Sequence, residues 1–129
     1  MKKKIYYHDT DCGGVVYYAN YLKYMEEART EYFEERGLSI KELAGSGTLF
    51  VVAHQEIDYK FPAVYGDVLE ISTRFTEVKA VKLTVEHEVK NQEDKLICTN
   101  KTILVCVGQD IRPKAIPPEV SSKFKHESE

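Results

Sequence analysis

The stretch that decides the fold is residues 9–37, which read DTDCGGVVYYANYLKYMEEARTEYFEERG. Its second part carries apolar side chains at alternating spacings of three and four residues, the pattern of one face of an α-helix. These apolar positions are Tyr18, Tyr21, Leu22, Met25, Ala28 and Tyr32. We predict a helix of about nineteen residues from Tyr18, with Arg36 in its last turn and Gly37 as its stop, because cations and glycine favour helix C-termini.

The segments around this helix predict an antiparallel sheet. A short strand is expected at residues 5–8 before the helix, and one helical turn at residues 39–44 after it. From Val51 onward apolar and polar residues alternate, which is typical of strands that bury one face. This alternation predicts strands over residues 51–61, 69–75, 81–90 and 96–107, the last two joined by a turn at residues 91–94. Pro117 and Pro118 predict a short helix near residues 120–124, and residues 126–129 are expected to fray.

The order of these elements predicts an α+β fold, in which one long helix covers one face of about five consecutive antiparallel strands. The length of 129 residues fits one domain, which we place at residues 1–129. One helix cannot cover a sheet of this length. The remaining apolar strand surface and the free edges therefore predict a homo-oligomer that associates through the sheet.

Composition and charge argue against several classes of protein. The net charge is −3 and the basic residues are dispersed apart from Lys2–Lys4, whereas nucleic-acid binding needs a concentrated basic surface. Three cysteines without a C-x-x-C pair and four histidines without ligand spacing predict neither a disulfide framework nor a metal site. No stretch approaches the roughly 20 apolar residues of a membrane span, and no apolar run follows the N-terminal lysines. We therefore expect a cytoplasmic protein with no membrane span and no nucleic-acid partner.

The segment from Asp9 to Tyr21 is the candidate for chemistry. It places Asp9 and Asp11 between a strand end and a helix start, with Gly13 and Gly14 in the turn. Glycines allow a ligand to approach the backbone, and a first helical turn offers free N–H groups with a partial positive charge. A carboxylate beside such groups can act on a carbonyl carbon while they stabilise the oxyanion. The alternatives are that both aspartates only cap the turn, or that Cys12 and His8 form a thiol site, which a glycine-rich turn does not favour.

Residues 9–26, DTDCGGVVYYANYLKYME, resemble the active-site motif of hotdog-fold acyl-CoA thioesterases, in the branch of 4-hydroxybenzoyl-CoA thioesterase and the thioesterases encoded near the Tol–Pal system. The resemblance continues in EARTEYF (27–33), YKFPA (59–63) with Gly66-Asp67, and RPKAIP (112–117), and so covers nearly the whole chain. It implies a long helix wrapped by a curved, five- to six-stranded antiparallel sheet, in homodimers that often pair into homotetramers. The Tol–Pal-associated branch commonly has His where this chain has Tyr18, whereas the 4-hydroxybenzoyl branch has Tyr.

The resemblance also implies roles for individual residues. It assigns Asp11 to catalysis and the backbone N–H of Tyr18 to the carbonyl oxygen of the thioester. The residues expected at the substrate are Gly14, Val16, Tyr17, Tyr21, Tyr59, Lys60, Phe61 and Arg112. Coenzyme A carries phosphates, and the candidate cations for them are Lys60, Lys79, Lys82, Arg112 and Lys114, each with an ordinary surface position as the alternative.

Thioester hydrolysis fits such a small set of residues, because a leaving thiol with a pKa of about 8.5 departs without a dedicated general acid. Asp11 can serve as general base on water or as nucleophile, and the sequence leaves both open. No cofactor is expected, since coenzyme A is part of the substrate. A non-catalytic hotdog module that binds acyl-CoA or a protein is the main alternative. A hydratase or dehydratase using His8 or His54, and a haloacid-dehalogenase-type phosphohydrolase, fit the motif and the order of elements less well.

Overall fold

The computed structural model describes residues 1–124, so the expectation for residues 126–129 lies outside the described residues. The elements are β1 (Lys2–Lys4), α1 (Asn20–Glu35), α2 (Ile40–Gly45), β2 (Leu49–Tyr59), β3 (Val68–Val78), β4 (Lys82–Lys90), β5 (Leu96–Val107) and α3 (Pro118–Ser121). The five strands form one antiparallel sheet in the order β1-β3-β4-β5-β2. The predicted α+β architecture, one long helix with an antiparallel sheet, is confirmed. No helix within residues 1–124 is long and apolar enough to cross a bilayer.

The long helix α1 lies where the apolar periodicity predicted it, but it begins two residues later. Its buried face consists of Tyr21, Tyr24, Met25, Ala28, Tyr32 and Phe33. Tyr18 lies in the turn before the helix and is 62% exposed, so its predicted place on the buried face is wrong. Ala19 is the N-cap residue and has no side-chain acceptor for the first helical N–H groups. Gly37 follows the helix with φ at 77°, a left-handed conformation that favours glycine.

The first strand was predicted at residues 5–8, which is wrong. The strand is Lys2–Lys4, whose backbone pairs with β3, and Tyr7–Asp9 form a 3₁₀ turn instead. This turn forms because the Asp9 carboxylate accepts the backbone N–H of Tyr6 at 2.9 Å, which directs the chain away from the sheet.

The alternation predicted for β2 is interrupted by a β-bulge between Val52 and His54. Val52 pairs with the buried Leu104 before the bulge, and Ile57 pairs with the buried Asn100 after it. The extra residue moves the following side chains to the opposite face. Val51 therefore does not share a face with Ile57, contrary to the simple alternating pattern.

The apolar core is divided into two clusters along α1. One lies around the start of the helix and includes Met25 and Val89, and the other lies around its end and includes Phe33 and Val85. Between them a band of polar side chains crosses the sheet; its members are Gln55, Thr73, His87, Asn100 and Thr102. Most of its polar groups are bonded within the band, since Asn100 and Thr102 both donate to the side-chain oxygen of Gln55.

His87 in this band makes the stability of the fold depend on pH. Its side chain is 1% exposed, and burial, assisted by the charge of Arg29, lowers its pKa from 6.5 to about 4. Between these two pH values the unfolded chain carries a proton on this histidine and the folded chain does not. Stability therefore falls as the pH drops through this window. The shift corresponds to a loss of up to about 3 kcal/mol.

We expect His87→Gln to remove most of this pH dependence, because glutamine occupies a similar volume and does not titrate. Urea unfolding between about pH 7 and about pH 4 measures the slope of the free energy of unfolding in both proteins. His8→Gln is the matched control, since the His8 side chain is 82% exposed. The same pH slope in the wild type and the His87 variant would contradict this account.

Candidate active site

The loop before α1 presents the Asp11 carboxylate at the surface. The Asp11 N–H donates to the carbonyl of Val15, and the Gly14 N–H donates to the carbonyl of Asp11, which closes a tight turn. Gly14 has φ at 81°, the left-handed region where glycine is favoured. Oδ1 of Asp11 accepts the N–H of Gly13 at 2.8 Å. The carboxylate is exposed and held in one direction, which leaves its second oxygen open towards a ligand.

Asp9 has a different environment and anchors the loop to the helix. Its carboxylate is buried and accepts the hydroxyl of Tyr24 at 2.8 Å as well as the N–H of Tyr6. Its backbone carbonyl accepts the side-chain amide of Asn20 and the N–H of Tyr17. Burial and the Asp9 carboxylate both raise the pKa of Tyr24, so this tyrosine remains a hydrogen-bond donor at neutral pH. Asp9 is therefore the buried, structural aspartate of the motif, and Asp11 is the exposed one.

The start of α1, which follows the Asp11 turn in the chain, leaves backbone donors free. Within residues 1–124, the N–H groups of Tyr18 and Ala19 donate to no other atom of the chain. The N–H groups of Val16 and Tyr17, by contrast, donate to the carbonyls of Ala63 and Asp9. Val16 and Tyr17 are thus unable to bind a substrate through their N–H groups, whereas the N–H of Tyr18, to which the resemblance gives the carbonyl oxygen, is free.

An aromatic pocket of about 260 Å³ adjoins the helix start. Its lining consists of Val16, Tyr18, Tyr21, Tyr59, Lys60, Phe61 and Pro62. Six of these seven residues were predicted at the site, and the structure brings them together because the end of β2 returns to the loop. Asp11, Gly14 and Tyr17 belong to the adjoining loop and do not line this pocket. Burial raises the pKa of Tyr21 to about 12, and its hydroxyl accepts the N–H of Ala63 at 3.4 Å.

Arg112 does not line this pocket within one chain, so its contact with the substrate stays a prediction. The pocket lies at the start of β5, where Lys60 donates its N–H to Ile97, whereas Arg112 follows the end of β5 and bonds to Gly108. The twelve residues of β5 separate the two ends by about 36 Å. Sequence reasoning cannot show this, because the segment around Arg112 carries no local signal of which end of a strand it reaches.

Of the other candidate cations, Lys60 lines the pocket, whereas Lys79, Lys82 and Lys114 do not. Lys114 Nζ donates to the carbonyl of Gly47 and the hydroxyl of Thr48, and Lys79 pairs with Glu77 at 2.9 Å. Sequence reasoning missed Lys95, whose ammonium lies 4.5 Å from the ring centroid of Phe61 at the pocket. Lys95 follows the turn after β4 and reaches the pocket only through the folded hairpin, so no local pattern indicated it.

The alternative sites receive little support from the geometry. Cys98 is buried, and burial raises the pKa of its thiol to about 12, so it is not a nucleophile. Cys12 is exposed, and within residues 1–124 no hydrogen bond joins it to His8, which stacks on Tyr6. His54 pairs with Glu56 at 3.3 Å on the surface of β2. The described part of the chain contains no cluster of three or more His, Cys, Asp or Glu suited to a metal ion.

Comparison with known proteins identifies the family. The family described as the thioesterase-like superfamily matches residues 6–124. The chain belongs to this superfamily. This confirms the resemblance seen in the sequence, the thioesterase class of the enzyme and the hotdog fold.

Several relatives of this thioesterase chain match over almost their full length. The acyl-CoA thioester hydrolase YbgC of Shigella flexneri is 35% identical over 123 residues, which cover 95% of this chain and 92% of the relative. The acyl-CoA thioesterase YbgC of Haemophilus influenzae is 38% identical over 126 residues, covering 95% and 91%. A probable thioesterase from Bartonella henselae has a TM-score of 0.86 at 30% identity, covering 91% and 97%. A 1,4-dihydroxy-2-naphthoyl-CoA thioesterase from Synechocystis shares the fold, with a TM-score of 0.90 at 24% identity, covering 96% and 93%.

Proposed function

We propose that this protein is an acyl-CoA thioesterase, which hydrolyses an acyl-CoA ester to the free acid and coenzyme A. The observation that carries the proposal is the exposed Asp11 carboxylate, held in the glycine turn that leads into the free N–H groups at the start of α1. Relatives named acyl-CoA thioester hydrolase and acyl-CoA thioesterase support the choice of substrate class.

The first element of the mechanism is the attack on the thioester carbon. Asp11 supplies it either by removing a proton from water or by forming a mixed anhydride that water then hydrolyses. Both routes consume one water and give the same products, because the acid gains an oxygen and the thiol gains a proton. After a single turnover in ¹⁸O-labelled water, label in the Asp11 carboxylate identifies the anhydride route, in which water attacks the aspartyl carbon and the acid keeps an oxygen of Asp11.

The second element is stabilisation of the oxyanion by the Tyr18 N–H. This donor is free within residues 1–124 and belongs to the turn that begins α1, where the helix dipole adds a partial positive charge. Backbone donors of this kind need no side-chain acid. The Tyr that replaces the His of the Tol–Pal-associated branch at position 18 is compatible with this role, because the backbone N–H does not depend on the side chain.

The third element is recognition of the substrate. The proposed contacts come from Gly14, from Val16 and Tyr17 through side-chain atoms, and from the aromatic walls of the pocket, Tyr21, Tyr59 and Phe61. Lys60 lines the pocket and Lys95 stands over Phe61, which is 44% exposed. Within residues 1–124 neither ammonium is paired with a carboxylate. Two unpaired cations beside an exposed ring suit the phosphate end of coenzyme A.

We expect Lys60→Met and Lys95→Met each to raise KM for the acyl-CoA ester by about two- to fivefold, with kcat unchanged, because these exposed charges hold substrate and transition state equally. The matched substrate is the acyl-pantetheine ester, which lacks the phosphates and should show no change. Lys101→Met is the control variant, since Lys101 is exposed on the sheet away from the pocket. An equal effect on both substrates would contradict the assignment to the phosphates.

We also propose that the protein acts as a homodimer, with homotetramers as the next step of assembly, in the cytoplasm and without a cofactor. The dimer is supported by β2, an eleven-residue edge strand with the half-exposed apolar side chains of Val51 and Val52. A second copy pairing along this edge would cover them. Sedimentation equilibrium tests the proposal, and a mass of one 14.8 kDa chain would contradict it.

The test of the function is release of free thiol from a panel of acyl-CoA esters, from acetyl through long-chain to benzoyl types. We expect turnover with at least one class, and the preferred class identifies the acyl group. The alternative, a hotdog module that binds acyl-CoA or a protein without catalysis, predicts a folded protein that binds coenzyme A esters and releases no thiol from any of them.

A further inference from the structure

Tyr59 connects the end of the edge strand to the start of the helix. Its hydroxyl donates to the backbone carbonyl of Tyr18 at 3.2 Å, across 41 positions of sequence. The carbonyl belongs to the peptide unit between Tyr18 and Ala19. This hydrogen bond therefore constrains the backbone that carries the free donors. The ring of Tyr59 also forms part of the pocket wall.

The planarity of the peptide bond transmits this contact to the N–H on its other edge. In a trans peptide the C=O and the N–H point in opposite directions from one plane. A hydrogen bond that fixes the Tyr18 carbonyl therefore also fixes the direction of the Ala19 N–H, which points away from Tyr59. Within residues 1–124 this N–H has no acceptor.

The helix start lacks the residue that normally occupies such donors. In a capping box, Glu or Gln at the third helical position accepts the backbone N–H of the N-cap residue. Here the N-cap is Ala19 and the third helical position is Leu22, whose side chain has no acceptor. The peptide is instead held from its carbonyl side by Tyr59, which leaves its donor side open.

The side chain of Tyr59 is suited to this task. One side of its ring packs against Tyr21, with the ring centroids 5.7 Å apart, and Tyr59 is 48% exposed. Partial burial raises its pKa, which keeps the hydroxyl protonated as a donor at neutral pH.

We propose that Tyr59 is a positioning residue, which holds the Tyr18–Ala19 peptide so that the Ala19 N–H serves with the Tyr18 N–H as a second donor to the thioester carbonyl oxygen. This inference rests on the proposed thioesterase function. It goes beyond that function because it assigns Tyr59 an effect on kcat. A residue that only lined the pocket would instead change the affinity for the substrate.

The test is Tyr59→Phe, which removes the hydroxyl and keeps the ring. We expect kcat to fall by about three- to tenfold, the value of one hydrogen bond, with KM within about twofold of the wild type. Tyr65→Phe is the matched control, because Tyr65 is exposed and makes no hydrogen bond within residues 1–124. The control should leave both constants unchanged.

A spectroscopic measurement separates positioning from a general loss of structure. In the Asp11→Asn background, the infrared C=O stretch of a bound acyl-CoA ester should shift to lower frequency than in water, and adding Tyr59→Phe should reduce that shift. An unchanged kcat and an unchanged stretch in the Tyr59 variants would overturn the inference, as would a rise in KM alone. If the wild type hydrolyses no ester, the proposed function itself fails and the inference fails with it.

Discussion

Replacing Asp11 with asparagine is expected to lower kcat for the preferred acyl-CoA ester by about 10²- to 10⁴-fold, because the amide is neither a general base nor an anionic nucleophile. The substitution is nearly isosteric. Its side-chain oxygen can still accept the N–H of Gly13, so the turn before α1 should keep its conformation. KM should change little, since the carboxylate acts on the reacting carbon and does not hold the rest of the substrate. Steady-state thiol release measures both constants.

The chain offers a matched control for this substitution. Asp110 is also exposed and also accepts, through Oδ1, the N–H of the residue two positions later, at 3.1 Å from Arg112. It lies at the other end of β5, so Asp110→Asn makes the same change in the same kind of turn away from the pocket. It should retain wild-type kcat. A folded Asp11→Asn protein that also retains wild-type turnover would contradict the catalytic role of Asp11.

The second large effect is expected for Asp9→Ala, which should lower the free energy of unfolding by on the order of 3–5 kcal/mol. The buried carboxylate accepts two hydrogen bonds, from the Tyr24 hydroxyl and the Tyr6 N–H. Removing it leaves the Tyr24 hydroxyl buried without an acceptor, which adds to the cost. Activity should fall as well, because the loop that presents Asp11 loses its anchor to α1.

Urea unfolding measures this loss of stability. Tyr24→Phe is the companion variant, since it removes one of the two bonds and should cost less than Asp9→Ala. Asp11→Asn serves as the contrast, with activity lost and stability kept. An Asp9→Ala protein that unfolds at the wild-type urea midpoint would contradict the anchoring role.

The elements that sequence patterns predicted are those in which local signals and burial agree. The helix α1 could be predicted because six buried side chains repeat at helical spacing. Its first turn could not, since Tyr18 continues the apolar pattern and is exposed in the structure. The strand Lys2–Lys4 carries no apolar alternation, and it forms through backbone pairing with β3 at long range. The bulge in β2 likewise depends on its register with β5.

The sequence pattern did not predict the polar band under α1 either. His87 and Asn100 lie in strands whose residues alternate between polar and apolar. This pattern alone indicates a solvent-facing or an apolar position for each of them, and no buried polar contact. The bulged β2 brings Gln55 to meet Asn100 and Thr102, whereas His87 contacts Thr73 on β3. Only the assembled sheet shows that Gln55, Asn100 and Thr102 satisfy one another.

The candidate site was largely predictable for a related reason. Asp11 and Tyr18 lie in one contiguous motif, Tyr59 ends the strand that returns to it, and Phe61 follows two residues later. Arg112 lies beyond the other end of the twelve-residue strand β5, so its contact with the substrate stays a prediction. Lys95 was missed because only the β4–β5 hairpin places it over Phe61.

The most direct test of the account is a single-turnover measurement, with enzyme in excess over the preferred acyl-CoA ester and free thiol followed in time. Under this condition the rate constant reports cleavage of the thioester and not release of product. We expect rapid thiol release by the wild type and a rate constant at least about 100-fold lower in Asp11→Asn, with the ester bound equally well. Thiol release by Asp11→Asn at the wild-type rate would contradict it.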